Sequence, residues 1–255
     1  MSNKITFITA NYNSNYLLNS TFNSIKFIIK DYNIDWYILD NFSNDNSLVI
    51  LKQNIDYQNL ENNIKIIKKK DFGIYDALNH GINLINTKYY LVLGAGDTLY
   101  FKNFHKIYKE ISNKEFDLGI FNITRNNKLI EPKFKFNNLK FILTISYTYF
   151  LTSHSVGTII KKSLHDKFGF YSRFYPIMAD SFFLTKVLES YDSNIYYSNN
   201  LIGDFDNNGI TSNNLVFSAI EYFSVQISLK RNIFLQLLFL FFRLSHIKLK
   251  QLNFV

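Results

Sequence analysis

The 255-residue chain contains no cysteine, which rules out disulfides and thiolate metal sites and fits a reducing compartment. It has two prolines and nine glycines, gathered into no linker, and it shows no internal repeat. A secretory leader would need a basic-then-apolar start, whereas a strand begins almost at once with Lys4, Ile5, Thr6, Phe7 and Ile8. The expectation is therefore a cytoplasmic protein. No GxGxxG follows the first strand, and neither a P-loop nor a GxSxG occurs, so the usual dinucleotide fingerprint is missing. Acids are missing after Glu221, while Lys230, Arg231, Arg243, Lys248 and Lys250 supply five of the eight excess positive charges. That imbalance predicts a basic tail meeting an anionic surface. Outside the tail the two signs nearly balance, which argues against a nucleic-acid binder. The 18% aromatic content goes with an excess of Asn, Ile, Lys, Tyr and Phe that an AT-rich genome explains, so it is no sign of base stacking.

What is present suffices for a large core: 47% of residues are hydrophobic, enough for one large domain or a domain with an appendage. Strands are predicted at 4–10, 35–39 and 64–68, with a fourth in the apolar run Tyr89 to Leu93. Between them lie three helices. The first carries Leu18, Phe22, Ile25 and Ile29 on one stripe, the second starts from the polar turn 40–45, and the third carries Ile74, Leu78, Ile82 and Ile85. This alternation predicts an α/β fold built on a parallel, doubly wound sheet. Beyond residue 100 the pattern loosens: a helix at 102–111, a strand pair 117–124 and 129–136 around Asn126-Asn127, an apolar stretch 141–153, a strand at 158–162 and a helix at 180–190.

The stretch from Asp71 to Asp97, DFGIYDALNHGINLINTKYYLVLGAGD, organises this scheme. It reads as a helix feeding a buried strand that stops at Gly94-Ala95-Gly96-Asp97. In open α/β sheets ligands bind beyond the carboxyl ends of the strands, and glycines let a ligand approach the backbone there. Thr9, Asp40, Asp71 and Asp97 should then surround one crevice. The plainer alternatives are that Asp97 caps the next helix, that Asp40 caps a turn, and that Asp180 caps its own helix.

These residues resemble family 2 glycosyltransferases of the A-type nucleotide-sugar fold, as found in bacterial enzymes of colanic acid, capsule and O-antigen synthesis. LDNFSNDNS at 39–47 is similar to the family's VDGGSxDGT turn, and DFGIYDALNHGI at 71–82 to DxGIYDAMNKGI. VLGAGD at 92–97 resembles FLNSGD, the segment 153–180 resembles HQAxFxxRxxxxxxGxFDxxxxxxxD, and NNGITS at 207–212 echoes a GGxS loop. The matches run in order over roughly residues 4–212. Two departures stand out: Gly94 and Gly96 occupy positions where carboxylates often sit, and Ser155 follows His154 where the family has Gln.

The resemblance implies an A-type domain at 1–212, with a nucleotide-binding half at 1–98 and an acceptor-binding half at 99–212, followed by a helical tail at 213–255. It implies an inverting enzyme that moves a sugar from a nucleotide-sugar, a UDP-sugar above all, to a hydroxyl of a growing surface glycan or lipid-linked oligosaccharide. Asp40 stands at the uracil-contacting position, and Thr9, Ala10, Asn11, Asp71, Gly73, Tyr75, Asp76, Asn79, Ala95 and Gly96 line the donor site. Asp97 would hold a divalent cation, Mn2+ or Mg2+, and Asp180 would be the catalytic base. His154, Asn208 and Gly209 would lie on the acceptor side, with a structural hydrogen-bonding role for His154 equally open. A non-catalytic nucleotide-sugar-binding module and a nucleotidyltransferase are the rival readings.

The tail adds its own expectation. Asn232, Gln236, Arg243, His246 and Lys250 fall on one helical stripe, with apolar residues over the remainder. Too often interrupted to span a bilayer, such a helix suits a membrane interface on the cytoplasmic side, or else packs on the core or in a homodimer.

Overall fold

The computed structural model of the chain describes residues 4–132, 154–206 and 214–252. The first half alternates as its hydrophobic periodicity predicts: β1 (Ile5–Asn11), α1 (Leu17–Tyr32), β2 (Asp35–Asp40), α2 (Ser47–Gln58), β3 (Ile64–Lys68), α3 (Ile74–Leu84) and β4 (Tyr89–Val92). In α1 the predicted stripe Leu18, Phe22, Ile25 and Ile29 is buried. Asn33, left-handed at φ 50°, ends that helix by donating its N–H to the Ile29 carbonyl. The second half follows with β5 (Thr98–Leu99), α4 (Phe101–Asn113), β6 (Leu118–Arg125), β7 (Lys128–Ile130), β8 (Thr158–Lys161), α5 (Leu164–Phe168), α6 (Ala179–Glu189) and β9 (Ile195–Asp204). A helical hairpin, α7 (Leu215–Ser228) and α8 (Ile233–Leu252), closes the described chain.

One sheet runs through the molecule in the order β3-β2-β1-β4-β8-β6-β9-β5, with β7 on the side of β6. Strands β3, β2, β1 and β4 are mutually parallel. The later strands enter with mixed polarity: β8 is antiparallel to β4 and β6, and β9 is parallel to β6. Helices cover both faces. Phe7 and Trp36 pack with Phe22, Leu51 and Phe104 on one side. Ile8 and Tyr90 pack with Leu78, Ile82 and Phe183 on the other. Successive residues of β1 thus serve opposite cores, as the two-residue period of a strand requires.

The expected strand pair around Asn126-Asn127 forms as β6 and β7, and both asparagines take the positive φ, 50° and 58°, of a tight hairpin turn. Residues 133–136 of that expectation and the apolar stretch 141–153 lie outside the described residues. Two strands had no sequence signal. Strand β5 is only two residues long. Strand β9, IYYSNNLIGD, carries an Asn-Asn pair that reads as a turn. The sheet absorbs it through register shifts opposite Phe121 to Ile123, with Asn122 donating to the Asn199 carbonyl at 3.1 Å.

The tail is helical, but its polar stripe is split: Asn232 and His246 are exposed, while Gln236 and Arg243 turn toward α7. Gln236 is fully buried, and the Arg243 guanidinium lies 4.3 Å from the Tyr222 ring centre on α7. The exposed surface instead carries Phe234, Leu237, Leu238, Phe241 and Phe242, joined by Val216, Phe217 and Ile220 of α7. Among the described residues no helix is long and apolar enough to cross a membrane.

Two glycines test the packing. A Cβ at Gly203 in β9 would sit 2.1 Å from the Thr98 carbonyl oxygen, so backbone must move; at Gly81 in α3 it would meet only side-chain ends of Ile8 and Leu39, at 2.8 Å. Gly203→Ala should lose ~3 kcal/mol or more, lowering the melting temperature by roughly 6–12 °C. Gly81→Ala regains helix propensity against a mild squeeze and should stay within about 1 kcal/mol of the parent. Denaturant unfolding of both variants checks this, and equal losses would contradict the β5–β9 contact.

Candidate functional site

The carboxyl ends of β1 and β2 meet in a polar turn organised by Asp40. Its carboxylate, wholly buried, accepts from Asn11 Nδ2 at 2.7 Å, Ser43 Oγ at 2.6 Å and Ser43 N–H at 3.0 Å. Next to it, Asn41 Nδ2 donates to Asp71 Oδ1 at 3.1 Å, and the Gly73 N–H donates to the same oxygen at 2.9 Å. Burial pushes the Asp71 carboxyl up, and the charges of Asp76 and Asp40 add to the rise. Gly73 takes φ +121° just before α3, a conformation that L side chains rarely adopt. Asn11, Asp40, Asp71 and Gly73 are therefore brought together. Thr9 is not part of this polar set through its side chain: its hydroxyl accepts the Trp36 indole N–H at 2.9 Å inside the core. The helix after the turn starts as the polar turn predicts, with Asp45 accepting from Ser47 N–H and Oγ.

At the end of β4 the loop 94–97 is held by Thr21 of α1, whose hydroxyl accepts the Gly96 N–H at 2.9 Å. Asp97, 2% exposed, closes it: Oδ2 accepts the Gly94 N–H at 2.8 Å and Oδ1 accepts the Asp206 N–H at 3.0 Å. Burial pushes the Asp97 carboxyl up to about 7; the two N–H bonds oppose the shift, and the charges of Asp206 and Asp204 add to it. The glycines at 94 and 96 now have a steric cause. Gly96 has φ +103°, and a Cβ there would lie 2.7 Å from Asp206 Oδ2. A Cβ on Gly94 would lie 3.1 Å from Asp97 Oδ2. The carboxylates that do stand near Asp97 are Asp204 at the end of β9 and Asp206 just after it, from a strand the sequence did not reveal.

His154 stands beside this group. Its ring stacks on Phe205 at 4.2 Å, and Nε2 lies 3.3 Å from Arg125 Nη1. Burial and the Arg125 charge hold its pKa down to about 4, so the imidazole is neutral at pH 7. Arg125, Asp204 and Asp206 were not foreseen: Arg125 ends β6, a strand expected as far as residue 124, and Asp204 and Asp206 lie at and just after the end of β9, whose polar end leaves no periodic signal.

The first turns of α3 dock the segment that leads into α6. Tyr75 and Asn79, one helical turn apart, lie on one face. The Asn79 amide donates to the Tyr171 carbonyl at 2.8 Å and accepts the Tyr171 N–H at 3.0 Å. Asp76 pairs with Arg173 and accepts the Phe72 N–H at 3.1 Å. The Tyr75 hydroxyl lies 2.6 Å from the Ile177 carbonyl and 2.8 Å from Asp180 Oδ1. Tyr75 and Asn79, expected to line the donor site, are spent on holding residues 171–180, while Asp76 also lines a cavity with Asp71, Lys69, Lys70 and His80. Burial raises the Asp180 pKa, while its bonds from Tyr75 and the Ser181 N–H oppose the rise. Ala10 and Ala95 are half-buried against the two cores. Asn208 and Gly209 lie outside the described residues.

Among the described residues, no three His, Asp or Glu side chains converge to hold a cation unaided. The donor set still fits a hard divalent ion. Asp97 uses only two of its lone-pair positions, and the mutual repulsion of Asp97, Asp204 and Asp206 is what a bound cation relieves. A ligand bearing phosphate oxygens would have to complete the coordination.

The sequence model of glycosyl transferase family 2 matches residues 6–188. No curated protein sequence matches the chain. Among solved structures, residues 1–349 of TarS from S. aureus superpose with a TM-score of 0.63 at 16% identity, over 87% of this chain and 63% of that one. The mannosyltransferase PcManGT of Pyrobaculum calidifontis, bound to GDP-Man and Mn2+, gives 0.61 at 12% identity, covering 90% and 65%. Glucosyl-3-phosphoglycerate synthase of Mycobacterium tuberculosis, bound to Mn2+, UDP and phosphoglyceric acid, gives 0.55 at 10%, covering 87% and 79%. The chain spans just under two thirds of the TarS 1–349 and PcManGT chains. At these identities the likeness is one of fold. With the family match running over most of its length, the chain belongs to glycosyl transferase family 2.

Proposed function

We propose that this chain is an inverting glycosyltransferase that moves a hexosyl unit from a UDP-sugar to a hydroxyl of a growing surface glycan, of O-antigen, capsule or lipooligosaccharide type. One observation carries the reading: the buried, proton-retaining Asp97 sits with Asp204 and Asp206 at the end of β4, while Asp180 is held by Tyr75 at the start of α6. Acidic groups with raised pKa values in a crevice at strand ends are the pattern of a phosphate-and-acid site. The TarS structures with UDP and UDP-GlcNAc, and those of other neighbours with Mn2+ or Mg2+, support the choice of donor and ion.

Asp97, with Asp206 beside it, would hold the divalent cation. When bound, such an ion would supply positive charge against the departing diphosphate. Asn11, Asp40 and Asp71 shape the donor side, with Asp40 acting through the turn it builds. Asp180 accepts the proton of the acceptor hydroxyl as that oxygen attacks the anomeric carbon; burial makes it a stronger base than a surface carboxylate. Neutral His154, with Arg125, borders the acid group on the acceptor side.

The hairpin α7–α8 places the enzyme at the cytoplasmic face of an anionic membrane. Its outward apolar residues enter the interface and the exposed Lys230 and Lys248 meet the headgroups, whereas Arg231 is paired with Glu189 and Arg243 turns onto Tyr222. A lipid-linked acceptor would then lie in reach, and a second copy of the chain is the other occupant that face could take.

Three measurements test this reading. Asp97→Asn should abolish transfer and remove the cation dependence of UDP binding; full activity in EDTA would contradict the metal role. The folded protein holds the Asp97 proton up to about 7, above an unfolded carboxylate near 4. Metal-free wild type should therefore lose stability as pH rises between those values, and cation binding should weaken as pH falls below about 7. Asp97→Asn should lose both dependences.

Asp180 lies inside the first turn of α6, which Met178 begins without a side-chain cap bond, and Asp180→Asn keeps size and an acceptor oxygen for Tyr75 yet cannot take the proton. Transfer should fall by about 10²–10⁴-fold with donor affinity kept, whereas a mere cap would cost ~1 kcal/mol of stability and leave turnover nearly intact. For the tail, Phe234→Ser combined with Phe241→Ser should release the protein from anionic vesicles at low salt. Wild type that ignores such vesicles, or dimerises through this face instead, would overturn the membrane assignment.

A further inference from the structure

Residue Glu221 is the last acid of the sequence and lies beyond the stretch that matches the family. It sits on α7 and is 5% exposed. Among the described residues its partners are two backbone N–H groups. Oε1 accepts from Ile177 at 2.9 Å and from Met178 at 2.9 Å, and Oε2 lies 3.2 Å from the Ile177 nitrogen. Burying a carboxylate is costly, and here the cost is offset by N–H donors that α6 leaves unpaired ahead of its first turn. Burial raises the Glu221 pKa, while the Met178 and Ile177 N–H groups pull it back.

The same short segment is seized from the opposite side. Tyr75 of α3 reaches the Ile177 carbonyl at 2.6 Å and Asp180 at 2.8 Å. Residue 177 is thus fixed at its N–H by α7 and at its C=O by α3, three residues ahead of Asp180. Packing reinforces the polar contacts: Ile177 and Met178 form a separate small core with Tyr222 and Val225 of α7. The Tyr175 hydroxyl adds a 2.6 Å bond to Ser228 Oγ at the far end of that helix.

We infer that Glu221 is a positioning residue that holds the 177–178 backbone so that Asp180 faces the acceptor, making the α7–α8 hairpin part of the catalytic unit. The inference rests on the transferase reading above. It also means that the surface proposed to meet the membrane is one helix away from the proposed base, so docking and chemistry share a rigid element.

The experiment compares wild type, Glu221→Asp and Glu221→Gln by turnover, donor KM and hydrogen exchange of the 177 and 178 amides. Glu221→Asp withdraws the carboxylate by one methylene. It should speed exchange at both amides and lower kcat about tenfold to a hundredfold, with donor KM unchanged. Glu221→Gln keeps an acceptor oxygen at full length and should retain most of kcat and of the protection. Faster exchange with kcat unchanged, lower kcat without faster exchange, or kcat and KM changing together would each overturn the inference. Wild type that transfers no sugar would instead overturn the transferase reading, and the clamp would then be decided by exchange alone.

Discussion

The Asp97 carboxylate is tied to two backbone N–H groups from distant parts of the chain, Gly94 at the end of β4 and Asp206 just after β9. That pair of bonds ties the loop after β4 to the chain leaving β9. Everything acidic on that side depends on it. The loop 94–97 can be compact because positions 94 and 96 are glycine, and Asp204 and Asp206 approach because no side chain stands in their way. The cost is a buried carboxylate crowded by two others, and the proton it retains to about neutral pH expresses that cost. A group in this state is poised for a cation, since a divalent charge stabilises the ionised form that burial penalises.

Helix α3 plays the corresponding part on the other side. Its first two turns look, residue by residue, like a ligand-binding strip, yet Tyr75 and Asn79 reach protein, and Asp76 alone of the three also lines a cavity, with Asp71, Lys69 and His80. They anchor residues 171–180, and the hairpin α7–α8 grips that segment from behind through Glu221. The acid at position 180 is thereby fixed by two helices that are far apart in sequence. Each bond is modest alone, but together they determine the position of a group whose chemistry would tolerate little displacement.

The hairpin also departs from the usual arrangement of an amphipathic helix. Gln236 and Arg243 turn inward, Arg243 onto the Tyr222 ring of α7, and Phe234, Leu237, Leu238, Phe241 and Phe242 of α8 are left outside. An exposed apolar face of this kind, with Lys230 and Lys248 exposed on the same hairpin, is the observation behind the proposed membrane contact.

Local pattern carried the first half of this protein. Strands β1 to β4 and helices α1 to α3 follow from short-range hydrophobic periodicity and turn residues, and the gathering of Asn11, Asp40 and Asp71 follows from strand ends lying at one edge. The order DFGIYDALN to LGAGD likewise marked where the acids would be. Tertiary structure alone decided the remainder. Strand β9 has no alternation to announce it, so Asp204 and Asp206 reach Asp97 only through long-range pairing with β6. The hydroxyl of Thr9 went to Trp36, and the amide of Asn79 to Tyr171, because a buried polar atom takes the partner that packing brings nearest. Glu221 had no sequence signal at all, since its partners are backbone N–H groups more than forty residues away, and backbone donors look alike in every sequence.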